Sequence, residues 1–184
     1  MKKLCTLLAI AGLAAAQKPN MVSLSGGKVK QSVLFDGKMF ILKFIDQNQV
    51  VDLNEYYLRD EEPQNWTQML SIAVYKTQAT PAGMARNMEQ ALLKSHPDAP
   101  HELLASPDDS QALFMCVNWE TDRKTGSEFA VYRFQKASRG VLAYQVSLRP
   151  YQAKISTEEY KALKDRWAEK IKSGKFPDVT MQMP

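Results

Sequence analysis

Apolar and polar side chains alternate most regularly between residues 128 and 151, in two runs separated by a glycine-containing break at residues 137–140. The apolar positions of the two runs are Ala130, Tyr132, Phe134, Leu142, Tyr144, Val146 and Leu148. The polar positions between them are Arg133, Gln135, Gln145, Ser147 and Arg149. A period of two on either side of a turn is typical of an antiparallel hairpin with one buried face. We therefore predict a hairpin whose apolar set faces the core and whose polar set, if no helix covers it, is available to a partner.

Short runs rich in β-forming residues predict five further strands. These lie at residues 32–35, 39–45, 50–58, 69–75 and 111–120. Asp36-Gly37 separates the first two and is a strong two-residue turn, because both positions tolerate a positive φ. Residues 98–110 contain two prolines and no periodicity, so we predict a loop there.

Two helices are predicted from their start signals and their apolar stripes. Thr80 can cap the first, with Pro81 at a position where the missing N–H costs nothing. Ser156 and Glu159 form a capping-box pattern at the start of the second, and Gly174 is a natural stop. The stripes are Met84, Met88 and Leu92 on the first helix, and Tyr160, Leu163, Trp167 and Ile171 on the second.

These elements predict one α+β domain over residues 31–176. In it an antiparallel sheet of about six to seven strands carries two main helices, in the order strands–helix–strands–helix. This order, together with Asn65-Trp66-Thr67 ahead of the first helix, resembles the PsbP-like α/β sandwich superfamily of small exported domains. The resemblance covers most of the predicted mature chain, and only as topology. It implies an accessory or binding role and transfers no functional residue.

The N-terminus has the pattern of an export signal. Lys2 and Lys3 precede a short apolar run, and three alanines at 14–16 offer a cleavage site before Gln17. The run is too short for a membrane-spanning helix. We predict a signal peptide at residues 1–16, a flexible leader at 17–30, a tail at 177–184, and a periplasmic or extracellular location without stable membrane insertion.

Charge and cysteine content exclude two classes of function. The formal net charge of +4 falls to about +2 without the signal, and no dense Lys/Arg stripe remains, so nucleic acid is not a predicted partner. Cys116 is the one cysteine of the mature chain. Without a second cysteine an intramolecular disulfide is excluded, and its apolar neighbours predict a buried thiol rather than a nucleophile.

No set of residues in the sequence points to catalysis, a metal or a cofactor. His96 and His101 flank Pro97 and Pro100, which rules out a helical metal-binding pair. The carboxylates at residues 60–62 and 108–109 lack the spacing of a calcium loop, so we interpret them as solvated. No hydrolase elbow, phosphate loop or dinucleotide fingerprint is present.

Candidate binding residues cluster in two places. Trp66, with Tyr57 and Arg59 nearby in sequence, can anchor a partner or stack on a sugar if it is exposed; alternatively it folds back and plugs the edge of the core. Arg133 and Arg149 belong to the polar side of the predicted hairpin.

The function predicted from the sequence is that of an exported, non-catalytic binding or accessory protein of the bacterial cell envelope. The partner considered is another protein of the envelope. The alternative is a small enzyme whose site is built from Asp, Glu, Tyr and Arg and leaves no motif. A deep pocket that holds such groups with shifted pKa values favours the enzyme. An apolar patch around Trp66 and Tyr57 favours the binding protein.

Overall fold

A computed structural model describes residues 31–119, 127–149 and 155–176 of the chain. The strands are β1 Ser32–Phe35, β2 Lys38–Gln47, β3 Val51–Leu58, β4 Gln68–Tyr75, β5 His101–Ala105, β6 Gln111–Trp119, β7 Ser127–Ala137 and β8 Gly140–Leu148. The helices are α1 Pro81–Ser95, between β4 and β5, and α2 Thr157–Ser173, after β8. The predicted signal peptide, leader and tail lie outside the described residues.

The eight strands form one antiparallel sheet in the order β1-β2-β3-β4-β8-β7-β6-β5. Each half of this order is a four-stranded meander, in which consecutive strands pair with one another. The two meanders meet where β4 pairs with β8, and Ala73 lies opposite Ala143 at the middle of that pairing.

The predicted fold class is wrong in its account of the sheet. An α+β domain of about six to seven strands in strands–helix–strands–helix order was expected, whereas the structure is predominantly an eight-stranded antiparallel sheet with two helices. The strand missed by the sequence pattern is β5, which lies inside the predicted loop. Its five residues sit at the sheet edge between Pro100 and Pro107, and such a run is too short for its period to be distinguished from a loop.

The helices cover opposite faces of the second meander. On one face, called the α1 face, Phe114 packs in a cluster with Met88 of α1. On the other, called the α2 face, the next residue, Met115, packs with Trp167 of α2. Successive side chains of a strand point to opposite faces, so β6, β7 and β8 are apolar on both sides.

The predicted single apolar face of the 128–151 hairpin is therefore wrong. In the β7–β8 register Tyr132 lies opposite Gln145 on the α1 face, and Arg133 lies opposite Tyr144 on the α2 face. The two apolar runs thus belong to different faces, as do the polar residues between them. A two-residue turn fixes this register, since Ala137 pairs with Gly140, and a slip of one residue reverses every side chain of a strand.

Gly140 is required at the start of β8 for two reasons. Its φ of +127° lies in a region that side-chain-bearing residues rarely adopt, and a Cβ there would come 2.1 Å from the backbone oxygen of Tyr75. The turn of the hairpin is therefore held directly against the end of β4. This contact aligns the two meanders where they meet.

The local start signals are confirmed. Thr80 Oγ1 accepts a hydrogen bond of 3.0 Å from the backbone N–H of Gly83, and Ser156 and Glu159 form both halves of a capping box. Asp36 and Gly37 adopt φ values of 49° and 72° in the predicted turn. Met84, Met88 and Leu92 are buried, as are Tyr160, Trp167 and Ile171, while Leu163 is half-buried. Among the described residues, no helix is long and apolar enough to cross a membrane.

Candidate functional site

A cavity of about 470 Å³ opens on the α2 face at the turn end of the β7–β8 hairpin. We call it the hairpin groove. Its lining residues are Gln135, Lys136, Ala137, Ser138, Leu142, Tyr144 and Phe176. The strands supply its floor, because Leu142 and Tyr144 point from β8 to the α2 face. The groove lies just beyond the last turn of α2, and this position leaves it uncovered by the helix.

Stacked aromatic rings form one wall of the groove. The Phe176 ring lies 4.5 Å from the Tyr144 ring, with 20° between the ring planes. It also stacks on Phe35 of β1 at 5.1 Å, and Phe35 stacks in turn on Trp167 of α2 at 6.1 Å. The three residues after α2 are thereby held over the sheet. Stacking of this kind contributes beyond the area it buries, so the wall is a preformed surface.

A cationic group borders the same groove. The Arg133 Nη1 donates a hydrogen bond of 3.2 Å to the backbone oxygen of Lys172 in the last turn of α2. The guanidinium carbon of Arg133 lies 5.8 Å from the centre of the Tyr144 ring. Lys136 is exposed and contributes backbone to the lining, because its position opposite Val141 directs its side chain to the α1 face. The groove therefore offers positive charge beside an aromatic surface.

A second cluster of candidate residues lies on the α1 face, around Trp66, and is closed. Trp66 is 1% exposed and meets Tyr57 edge to face, with ring centres 6.2 Å apart. The guanidinium carbon of Arg149 lies 4.1 Å from the centre of the Trp66 ring. Arg149 Nε also lies 3.2 Å from Glu128 Oε2. Of the two alternatives predicted for Trp66, the buried one is therefore correct: the side chain plugs the edge of the core and is not an exposed anchor.

Glu55 is the buried acid of this Trp66 cluster. It is 2% exposed, and the Tyr57 hydroxyl donates a hydrogen bond of 2.6 Å to its Oε2. Burial raises the pKa of Glu55 to about 7 from 4.5, and the charge of Glu128 adds to the rise. The Tyr57 hydrogen bond and Arg149 act in the opposite direction. Half of the Glu55 side chains are therefore expected to be protonated near neutral pH.

Further polar side chains continue across the sheet from Glu55. Ser71, directly opposite Glu55, is buried, and so is Gln145 opposite Ser71. Gln145 Nε2 donates a hydrogen bond of 2.7 Å to Ser147 Oγ. This polar row lies between the apolar row of Leu53, Ala73 and Ala143 and the apolar pair of Tyr57 and Met69 that packs with Trp66. Buried polar groups are tolerated where they find such partners.

The five predicted binding residues occupy three places. Trp66, Tyr57 and Arg149 come together in the Trp66 cluster, and Arg133 borders the hairpin groove. Arg59 lies at neither site: it is exposed in the turn after β3, where its backbone oxygen accepts a hydrogen bond of 3.1 Å from Lys43 Nζ.

Two residues at these sites were not predicted from the sequence. Glu55 carried a detectable signal, because it is a charged residue between Leu53 and Tyr57 on one side of a predicted strand. Phe176 carried none. It lies at the end of the predicted domain, and its contacts with Phe35 and Tyr144 join residues far apart in sequence.

Cys116 lies in the core, and His101 contacts a backbone oxygen and a glutamate. Cys116 is buried as predicted, and burial raises the pKa of its thiol well above the usual range. His101 Nδ1 lies 2.8 Å from the backbone oxygen of Ala99, and its Nε2 lies 3.6 Å from Glu89 Oε1. Within the described ranges, no three His, Cys, Asp or Glu side chains are grouped so that they could hold a metal ion.

Comparison with known proteins identifies the family of this chain. No curated protein matches the chain. A protein-family model matches residues 28–176, a span that includes both helices, all eight strands and every residue of the two sites described above. No function is known for that family. Because the match covers most of the chain, the protein belongs to this family.

Proposed function

We propose that the protein is an exported, non-catalytic binding protein of the cell envelope, which holds a small ligand in the hairpin groove. The observation that carries the proposal is the groove itself, a cavity of about 470 Å³ with a stacked aromatic wall and a cationic border. Its volume lies within the roughly 300–1,000 Å³ typical of small-molecule sites.

The chemistry of the lining supports binding rather than catalysis. General acid–base or nucleophilic catalysis needs a titratable group with a partner in hydrogen-bond reach. The side chains of the described lining supply one amide, one serine hydroxyl and one phenol, and no carboxylate, imidazole or thiol is among those described residues. The acid whose pKa lies near 7, Glu55, is buried on the opposite face of the sheet.

Ligand binding should depend on the aromatic wall. We expect Phe176→Ala to abolish retention of the ligand, because the wall loses one of its two rings. The measurement is equilibrium dialysis of the purified protein against a small-molecule fraction of envelope extract, with mass spectrometry of the retained compounds. The matched control is Phe44→Ala, which removes an equally half-buried ring packed near Val51 and Leu53.

The expected result is at least one compound retained by the parent and by the Phe44 variant, and lost from the Phe176 variant. Retention of nothing by the parent would argue against a small-ligand function. Equal retention by all three proteins would place the site elsewhere.

If the protein is exported, its predicted signal peptide should be removed. We expect the full-length gene product, expressed in a bacterial host, to appear in the periplasm or medium as a chain that begins at Gln17. Cell fractionation with intact-mass measurement checks this. Recovery of the uncleaved chain from the cytoplasm would contradict the proposed location.

A second candidate function is acid–base catalysis in the Trp66 cluster. The specific observation in its favour is that Glu55, with a pKa of about 7, shares a hydrogen bond with Tyr57 beside the Arg149–Glu128 pair. Such a pairing suits proton transfer near neutral pH. Substrate would have to displace Trp66 to reach Glu55, so a compound that makes Trp66 accessible to a fluorescence quencher would favour this function.

A further inference from the structure

We propose that residues 59–67, which join β3 to β4, form a loop that opens when Glu55 is ionised, so that access to the Trp66 cluster depends on pH. We call these residues the Trp66 loop. The inference concerns the face opposite the hairpin groove, and it does not depend on the ligand proposed there. It follows from the anchors of the loop, from the charges beside Glu55 and from the burial of that acid.

Within the described part of the chain, the Trp66 loop is attached by one buried side chain and a few polar contacts. Of its nine residues, Trp66 is the buried one. Lys43 Nζ donates a hydrogen bond of 2.7 Å to Glu62 Oε1. The backbone oxygen of Thr67 accepts one of 2.9 Å from the N–H of Arg149. A segment that buries so little of its surface can open without unfolding of the sheet.

A β-bulge places Lys43 where it can hold the loop. The register of β2 on β3 shifts between Leu42 and Phe44, so Lys43 lies opposite no residue of β3. Its side chain is 16% exposed, whereas that of Glu62 is 64% exposed. An ion pair with one member so exposed contributes little to stability. The pair therefore positions the loop without fixing it.

Trp66 packs on the two residues that act most directly on Glu55 besides its burial. One is Tyr57, whose hydroxyl donates the 2.6 Å hydrogen bond to Glu55 Oε2. The other is Arg149, whose guanidinium carbon lies 4.1 Å from the centre of the Trp66 ring and whose charge lowers the pKa of Glu55. We therefore expect water to reach Glu55 when Trp66 moves away from these two side chains.

The charges beside Glu55 do not balance when it is ionised. Arg149 Nε lies 3.2 Å from Glu128 Oε2, so the guanidinium is already paired with one carboxylate. An ionised Glu55 has to share that cation with Glu128, whose charge raises the pKa of Glu55. An unpaired buried charge is strongly unfavourable. Either protonation of Glu55 or the entry of water relieves it.

The loop itself has an excess of negative charge. Its carboxylates are Asp60, Glu61 and Glu62, and its one cation is Arg59. Glu62 is paired with Lys43, and Glu61 accepts a hydrogen bond from the Thr67 hydroxyl within the loop. An ionised Glu55 adds a further negative charge to this region, and the repulsion acts in the direction of opening.

Among the described residues, the other titratable groups that act on Glu55 are phenols. They are Tyr57 on the same strand, Tyr75 on β4 and Tyr132 on β7. Burial raises the pKa of each phenol above its usual value of 10, so all three stay neutral near pH 7. Phe44 and Ser71, directly opposite Glu55, carry no charge. Burial raises the pKa of Glu55 to about 7, so its change of charge falls near neutral pH.

The experiment measures hydrogen–deuterium exchange of the parent protein between pH 5 and pH 8, with mass spectrometry of its peptides. Each rate is divided by the intrinsic rate at that pH, so that only the opening is compared. We expect the opening equilibrium of the peptide with residues 59–67 to rise by up to about tenfold for each pH unit below pH 7, because opening releases one proton. Amides of α1 should stay at least about 100-fold better protected at every pH, since they exchange only when the domain unfolds.

Three variants separate the titrating group from the anchor. Glu55→Gln removes the charge and keeps an acceptor for the Tyr57 hydroxyl, so opening of the loop should become independent of pH. Glu62→Gln weakens the anchor to Lys43, so it should raise opening by a similar factor at every pH and leave the slope unchanged. Glu169→Gln, an exposed change on α2, is the matched control and should behave as the parent does.

Three results would overturn the proposal. The first is an opening equilibrium of the loop that does not change with pH in the parent. The second is the same pH dependence in the Glu55→Gln protein, which would assign the titration to another group. The third is equal protection of the loop and of α1 in the parent, which would show that the loop opens only when the whole domain unfolds.

Discussion

Replacing Trp66 with alanine should lower the free energy of unfolding by about 3 to 5 kcal/mol, as large-to-small substitutions of buried aromatic residues do. The side chain is 1% exposed and fills the space between Tyr57 and Met69. Its loss leaves a cavity and removes the ring beneath the Arg149 guanidinium. Arg149 would then keep its ion pair with Glu128 but lose the cation–π contact. Urea denaturation followed by circular dichroism measures the change.

Two further variants show whether burial is the cause. Trp66→Phe keeps an aromatic ring against Tyr57, so its loss of stability should be clearly smaller. Leu34→Ala removes an aliphatic side chain that is 64% exposed at the sheet edge, and it should change stability by no more than about 0.5 kcal/mol. A Trp66→Ala protein as stable as the Leu34 variant would contradict the role of Trp66 as a plug.

The free energy of unfolding of the parent protein should decline between about pH 4.5 and pH 7, and replacing Glu55 with glutamine should remove most of this decline. Burial raises the pKa of Glu55 to about 7 in the folded protein, against 4.5 for an ordinary glutamate. In this window the folded state holds a proton that the unfolded state has released, so its stability falls as the pH rises. At about 1.36 kcal/mol for each pKa unit, the decline is roughly 3 kcal/mol.

Glutamine is the appropriate replacement because it resembles the protonated acid. Its amide oxygen can still accept the hydrogen bond from Tyr57, and it has no charge to be desolvated. We therefore expect the variant to be less stable than, or equal to, the parent at pH 4 and more stable than it at pH 8. The measurement is urea denaturation at a series of pH values.

Glu169→Gln is the matched control, since Glu169 is exposed on α2. Its stability should follow that of the parent over the whole pH range. Parallel pH profiles for the parent and the Glu55 variant would show that Glu55 is charged in the folded protein well below pH 7.

Features set by neighbouring residues were predictable from the sequence. The caps at Thr80 and Ser156 and the turn at Asp36-Gly37 each depend on contacts within four residues. The apolar stripes of both helices follow from their period alone. In these cases local preference and the final structure agree, as is expected of a sequence that folds to one state.

The faces of the sheet could not be predicted in the same way. Alternation along β7 and along β8 was visible, but which residue of β7 lies opposite which of β8 depends on the length of their turn. With Ala137 opposite Gly140, the apolar positions of one strand align with polar positions of the other. Because helices cover both faces, neither arrangement leaves an apolar side in water, and hydrophobicity alone does not distinguish the two.

Both candidate sites depend on contacts that are distant in sequence. The Trp66 cluster joins β3, the residues before β4 and the residue after β8. The hairpin groove needs Phe176, which is held in place by Phe35 from the other end of the domain. Single residues of each site, such as Trp66 and Arg133, could be predicted from their residue type. The residues that contact them could not be predicted without knowing the order of the strands in the sheet.

The junction of the two meanders has a consequence for how the protein folds. Within each meander strands pair with their neighbours in the chain, whereas β4 and β8 are separated by α1 and three strands. Closing so long a loop costs entropy before its contacts form, so we expect this pairing to form late. Until then two long strand edges, rich in valine, isoleucine, leucine and tyrosine, stand open at the middle of the future sheet. Such edges are sites of intermolecular pairing, and the half-folded chain should therefore be most prone to aggregation at the strands that end up best protected.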